Sequence, residues 1–239
     1  MSLAAASVME TTYFRRGLGL RKEVQPVLAA EYHSALVDEI RGNGGEARFD
    51  DIRVRLAQDF GFCYGVDRAV DYAYQTTRKF PDRRIYLVGE IIHNPHVNRR
   101  LQDSGVTFLY PGDGGVFDFS VVTPDDVVII PAFGVTIGDF ARLREIGCIL
   151  IDTTCGSVLN VWKRVESYAG DGFTALIHGK SFHEETRATA SQVNPDAGGR
   201  YVIVRDMAEA GLVMSYIERT EGALSRDAVL EHFRDKTSP

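Results

Sequence analysis

The sequence lacks any run of about 18 apolar residues, so it offers no membrane-spanning helix. Its first residues, Met1 to Glu10, carry neither a basic stretch nor a full apolar region, so no secretory signal is read there. Positive charge is scarce: 27 Lys and Arg stand against 33 Asp and Glu, giving a net charge of −6. No broad basic stripe appears, so nucleic acid is not an expected partner. Cysteine is rare too. Cys63, Cys148 and Cys155 are an odd number with no disulfide-framework spacing, which suits a reducing compartment where thiols are free, catalytic or metal-bound. There is no HExxH spacing and no paired CxxC. A zinc protease is therefore set aside, as is a zinc hydrolase built on Cys63, Cys155 and His183.

What is present is ordinary globular material, 44% hydrophobic and 25% charged over 239 residues, enough for one or two cored domains. The stretch from Tyr13 to Lys22 is basic and punctuated by glycine. Glu31 to Arg41 has the apolar spacing of one short helix, ended by Gly42-Asn43-Gly44-Gly45. From residue 52 short apolar strands alternate with helices. Strands are expected at Ile52–Leu56, Ile85–Val88, Val127–Ile130, Cys148–Ile151, Thr174–Ile177 and Tyr201–Val204. Helices are expected at Val66–Lys79, Pro95–Gln102, Ile137–Glu145, Val158–Tyr168, Ala208–Ile217 and Leu224–Phe233. This alternation predicts an α/β fold with parallel sheets.

A weak internal repeat carries the chemistry. Twice the order reads strand, Cys, helix, strand, His: once through Cys63 to His93, once through Cys155 to His178. Each polar residue is expected just past the carboxyl end of a strand, where open α/β sheets bind ligands. Gly61-Phe62-Cys63-Tyr64-Gly65 sets a thiol between glycines at a helix start, which favours the thiolate and permits close approach. A small buried hydrophobe in a tight turn would read the same way. Asp152-Thr153-Thr154-Cys155 repeats the arrangement with residues that cap helices. Cys148, inside an apolar run, is read as core. Ile92-His93-Asn94-Pro95-His96 offers imidazoles to a phosphate or a proton, with His96 the better fit to a plain loop role. The run from His178 to Thr186 packs two imidazoles, an ammonium, hydroxyls and two carboxylates into one stretch, parts for holding an anion and moving a proton.

Taken in order, GFCYGVDRAV, GEIIHNPHV, PAFGV, DTTC and HGKSFHEETRATAS resemble the 4-hydroxy-3-methylbut-2-enyl diphosphate reductase family, the LytB type. FRRGLGLRKEV and the PAFG and HEETRATAS forms resemble its plant and cyanobacterial branch. The resemblance runs from about Tyr13 to Phe233. It implies an iron–sulfur oxidoreductase ending the non-mevalonate route of isoprene biosynthesis. The expected reaction is reductive dehydroxylation of an allylic diphosphate to isopentenyl diphosphate and dimethylallyl diphosphate. It also implies three pseudo-symmetric α/β domains in a trefoil-like arrangement, each giving one cysteine to a [4Fe-4S] cluster with one iron left open to substrate. By that resemblance Cys63 and Cys155 are metal ligands, His93 and His183 bind the diphosphate, and Glu185 is the catalytic proton donor. A ferredoxin or flavodoxin-type carrier would bring electrons. The setting would be the cytoplasm of a bacterium, or the plastid stroma of a eukaryote.

Some positions depart from that family. Residues 1–50 are read as an N-terminal extension, 51–155 as the first α/β domain and 156–239 as an incomplete second, with the third domain and its cysteine absent. Phe133 stands where many bacterial members carry a diphosphate-binding histidine, and Gly156 where proline is common. The alternative expectation is an inactive fragment that keeps only diphosphate binding.

Overall fold

The structure is a computed structural model that describes residues 12–194 and 198–238; the reading of Met1–Glu10 falls outside the described residues. In chain order its elements are β1 (Tyr13–Phe14), α1 (Arg21–Tyr32), α2 (Ala35–Gly42), β2 (Glu46–Phe49), β3 (Ile52–Arg55), α3 (Tyr64–Lys79) and β4 (Ile85–Val88). There follow α4 (Pro95–Asp103), β5 (Val106–Leu109), β6 (Val127–Ile130), α5 (Ile137–Ile146), β7 (Ile149–Asp152) and α6 (Gly156–Gly170). The chain continues through β8 (Thr174–His178), α7 (Glu184–Ala190), β9 (Arg200–Val204), α8 (Met207–Glu218) and α9 (Arg226–His232).

Five strands form a parallel sheet in the order β1-β7-β6-β4-β5. The central strands β4, β6 and β7 are buried at every position, as strands covered on both faces must be. The two-residue period splits their side chains between two cores. Ile85, Leu87, Val127, Ile129, Ile149 and Ile151 pack with Val24, Ala69, Ala73, Val97 and Leu101 from α1, α3 and α4. Tyr86, Val88, Val128, Ile130 and Leu150 pack with Phe117, Phe119, Leu143 and Cys148 on the opposite face. The α/β class and the parallel sheet expected from sequence are what the structure has.

Three local expectations are corrected. The single helix over Glu31–Arg41 is two helices, α1 and α2, parted at His33 and Ser34, with Ser34 accepting from Val37 N–H at 3.4 Å. Pro26 inside α1 hides that helix from a reading by periodicity. Strand β3 exists, but it pairs antiparallel with β2 in a separate ribbon, outside the parallel sheet. Its sequence explains this: Arg53 and Arg55 reach Glu46 across the ribbon and Ile52 is 67% exposed, whereas an interior parallel strand is apolar on both faces. The N-terminal segment also joins the core, since Tyr13 and Phe14 pair with Leu150 and Ile151.

Beyond β7, β8 and β9 make a two-stranded parallel sheet. Alternate residues of β8 are exposed. No helix among the described residues is long and apolar enough to cross a membrane.

Candidate functional site

Parallel strands share one carboxyl edge, and here the loops leaving it are hydrogen-bonded into one floor. Ala132 N–H donates to Ile91 O at 3.2 Å, and Cys155 N–H donates to Ala132 O at 2.9 Å. The loops after β4, β6 and β7 thus meet beside the N-terminal ends of α3 and α6, the edge where such sheets bind ligands.

His93 lies on the loop after β4. Asn94 behind it caps α4 by accepting from His96 and Val97 N–H, and Pro95 opens that helix, so the local sequence fixes where the loop ends. The ring of His93 stacks on Phe133 at 4.5 Å between centroids and 23° between planes. His183 comes from the opposite wall as the N-cap of α7, edge-on to Phe133 at 5.8 Å. The two histidines meet Nε2 to Nε2 at 2.9 Å, although ninety positions separate them in sequence.

The surrounding bonds fix where each proton sits. His183 Nδ1 accepts from Glu185 N–H at 3.2 Å, so that nitrogen is bare and the ring proton is on Nε2. That proton points at His93 Nε2, which must then accept. The proton of His93 is left on Nδ1, donated to Glu90 Oε2 at 2.9 Å. The order Glu90, His93, His183, Glu185 N–H is one directed chain. Ligand atoms of His93, His183 and Glu184 also lie within 4.8 Å of one another, a spacing that would admit a cation. A metal on His183 Nε2, however, needs the ring proton on Nδ1, where the Glu185 amide already points. The cap therefore presets His183 to donate from Nε2.

Cys63 and Cys155 are the N-caps of α3 and α6, and neither uses its side chain to cap. Helix starts leave N–H groups that favour negative charge nearby. The caps are neighbours: a Cβ on Gly65, two residues past Cys63, would stand 2.3 Å from Cys155 Sγ. Arg68 ties the same region together, donating to Thr154 O at 2.9 Å and to Arg15 O at 2.7 Å. Tyr13 O–H donates to Asp152 Oδ2 at 2.6 Å, and Asp152 Oδ1 accepts from Thr154 N–H at 2.9 Å, which steadies the turn before Cys155. Burial, then the Asp152 carboxylate, pushes the Tyr13 phenol above its ordinary range. Cys148 is elsewhere, 2% exposed beneath the sheet, its S–H directed at Leu143 O. Burial pushes its thiol up to about 11.

Glu185 is the second residue of α7 and exposed, and its carboxylate bonds to no described residue; the carboxylate grouped with the histidines is that of Glu184. His178 ends β8 and His96 lies edge-on to Tyr32 at 6.0 Å. Sequence reasoning passed over Glu90, and took Gly65 only as one of the two glycines flanking Cys63. Spacing held a signal for Glu90, an acid three residues before His93, but the need for a bare Cα at Gly65 is visible only when Cys155 is seen against it.

Comparison with known proteins adds the following. A family model described as LytB protein matches residues 54–229. A 4-hydroxy-3-methylbut-2-enyl diphosphate reductase of Synechococcus sp. (strain RCC307) is 47% identical over 227 residues, covering 95% of this chain and 54% of that protein. One from Gloeobacter violaceus is 47% identical over 224 residues, covering 92% and 52%. The solved structure of an (E)-4-hydroxy-3-methyl-but-2-enyl diphosphate reductase superposes with a TM-score of 0.54 at 26% identity, over 74% of this chain and 62% of its own. A reductase structure from Plasmodium falciparum gives 0.53, also at 26% identity, over 63% and 44%. The chain spans about half the length of the curated relatives it matches.

Proposed function

The chain belongs to the LytB family, and from that premise we propose that it supplies the diphosphate-binding histidines and two cluster thiolates of a reductase acting on 4-hydroxy-3-methylbut-2-enyl diphosphate. Two electrons and two protons enter, the hydroxyl leaves as water, and isopentenyl or dimethylallyl diphosphate forms. One observation carries the reading: His93 and His183 face each other over Phe133, with His183 committed by its cap to donate from Nε2.

Each residue then has a role. His183 Nε2–H and His93 hold diphosphate oxygens, and the ring of Phe133 keeps water from their inner side. Glu185, on the first turn of α7, gives a proton to the departing hydroxyl. Cys63 and Cys155, on adjacent helix caps, would hold a [4Fe-4S] cluster, which supplies electrons and a Lewis-acidic iron when bound. The donor set fits two corners of such a group. Cys148 does not fit a third, being buried and hydrogen-bonded beneath the sheet, so the third thiolate comes from outside these 239 residues. A ferredoxin or flavodoxin-type carrier would deliver the electrons, in a bacterial cytoplasm or a plastid stroma. The same burial of Cys148 favours a second reading, a chain that binds diphosphate without redox chemistry.

Anaerobic reconstitution with iron and sulfide, in the presence of the C-terminal half of the Synechococcus relative, separates the two. Bound iron that is lost in Cys63→Ser and in Cys155→Ser supports the reductase; an iron-free mixture leaves only diphosphate binding. His183→Ala is expected to weaken isopentenyl diphosphate binding by roughly 10- to 150-fold, the loss of one hydrogen bond to a charged group. Unchanged affinity in that variant removes the histidine pair from the proposal. In the same reconstitution Gly65→Ala is expected to cut bound iron by about tenfold or more, because the new methyl overlaps the Cys155 sulfur. Gly156→Ala, with nothing within 4 Å of the added Cβ, is expected to bind iron as the parent does.

A further inference from the structure

Glu90 does more than orient a ring. His183 Nε2–H donates to His93 Nε2, so in this arrangement His93 has no proton to offer an incoming anion. A diphosphate lodged between the two rings meets one donor and one bare nitrogen. His93 can correct this in two ways. It can move its proton from Nδ1 to Nε2, or it can keep that proton and take up another. The first route turns a bare Nδ1 lone pair toward the Glu90 carboxylate at 2.9 Å, two acceptors face to face. The second gives an imidazolium that donates to Glu90 through Nδ1 and to the diphosphate through Nε2, both charge-assisted.

We propose that Glu90 is a positioning residue that blocks the tautomer change, so that capture of the diphosphate takes up one proton from solvent onto His93 Nε2. This rests on the diphosphate reading given above. The groups facing His93 are few. Glu90 precedes it on the same loop, and His183 and Glu184 come from the start of α7. Phe133 covers one ring face and carries no charge. Tyr110 interacts with Glu90, and its phenol is pushed up by burial and then by that carboxylate, so it stays neutral near pH 8. Glu184 adds a second negative charge near the imidazolium, but the structure shows it making no bond to Nδ1.

The test is titration calorimetry of the chain with isopentenyl diphosphate at about pH 8, in buffers of different ionisation enthalpy. The ligand's last phosphate ionisation lies near pH 6, so protons taken up belong to the protein. The parent chain is expected to take up about one proton per ligand bound, since of the two Nε2 atoms that face the ligand only that of His93 lacks a hydrogen. Glu90→Gln presents an amide N–H to Nδ1 and so permits the tautomer change. It is expected to bind about tenfold more weakly, a charged hydrogen bond becoming a neutral one, with uptake near zero. His93→Gln donates without titrating and is expected to bind with no uptake. Glu184→Gln should keep the uptake. Binding without uptake in the parent chain, or uptake that survives Glu90→Gln, overturns this inference alone. Uptake lost in Glu184→Gln but kept in Glu90→Gln assigns the role to Glu184 and also overturns it. No binding by the parent chain overturns both this inference and the diphosphate reading.

Discussion

Glu185→Gln is expected to lower turnover of the reconstituted enzyme by roughly 10²- to 10⁴-fold, the range a positioned general acid supplies. Bound iron and isopentenyl diphosphate affinity should stay as in the parent. The separation follows from the two parts Glu185 plays. Its backbone N–H fixes the His183 tautomer, and glutamine keeps that N–H. Its carboxyl is exposed and bonds to no described residue, so an isosteric amide disturbs no neighbour. What the amide cannot do is release a proton to a leaving hydroxyl, and expulsion of hydroxide is far harder than loss of water. The competing acid is Glu184, which the structure places nearer the histidine pair. Steady-state turnover of Glu185→Gln and Glu184→Gln side by side decides between them. If Glu185→Gln works within a few-fold of the parent while Glu184→Gln fails, the proton comes from Glu184.

Which features the sequence disclosed follows from how far apart their causes lie. The strands Ile85–Val88 and Val127–Ile130 carry no charged residue, and Ile149–Asp152 carries one only at its last position, so burial on both faces is written into each segment. Helix α4 is equally legible, because Asn94 and Pro95 mark its first turn. Strand β5 and helix α7 passed unread. The first is four residues after a turn, and the second, EETRATA, has no apolar stripe because its buried positions are Thr186, Ala188, Thr189 and Ala190. Ile52–Arg55 reads as a strand whose two arginines do not suit the interior of a parallel sheet, but nothing local names Glu46 as their partner. The site shows the same limit. Motif order and family resemblance named His93, His183 and Cys155 as site residues. That His93 and His183 point Nε2 to Nε2, and that Gly65 makes room for Cys155, are consequences of long-range packing that no window of sequence contains.

Gly134→Ala is expected to destabilise the fold by about 2–5 kcal/mol, combining about 1–2 for an L-residue in the left-handed region with 1–3 for overpacking. Gly134 has φ of 75°, and a Cβ there would lie 2.2 Å from one Trp162 ring carbon and 2.6 Å from the next. The ring has little freedom to withdraw, because its Nε1–H donates to Thr189 Oγ1 at 3.2 Å on α7. Against a typical total of about 5–15 kcal/mol, such a change shifts a urea transition well outside error. Trp162 is the only tryptophan in the sequence, so fluorescence follows both the unfolding and the altered ring environment. Gly147→Ala is the matched control: φ there is 80° and nothing lies within 4 Å, so only the backbone contribution of about 1–2 kcal/mol remains. The difference between the variants isolates the clash. It also bears on the site, since α7 carries His183 as its cap, and a displaced indole moves the helix that holds it. If Gly134→Ala matches Gly147→Ala in stability and binds isopentenyl diphosphate as the parent does, the ring yields freely and does not brace the histidine pair.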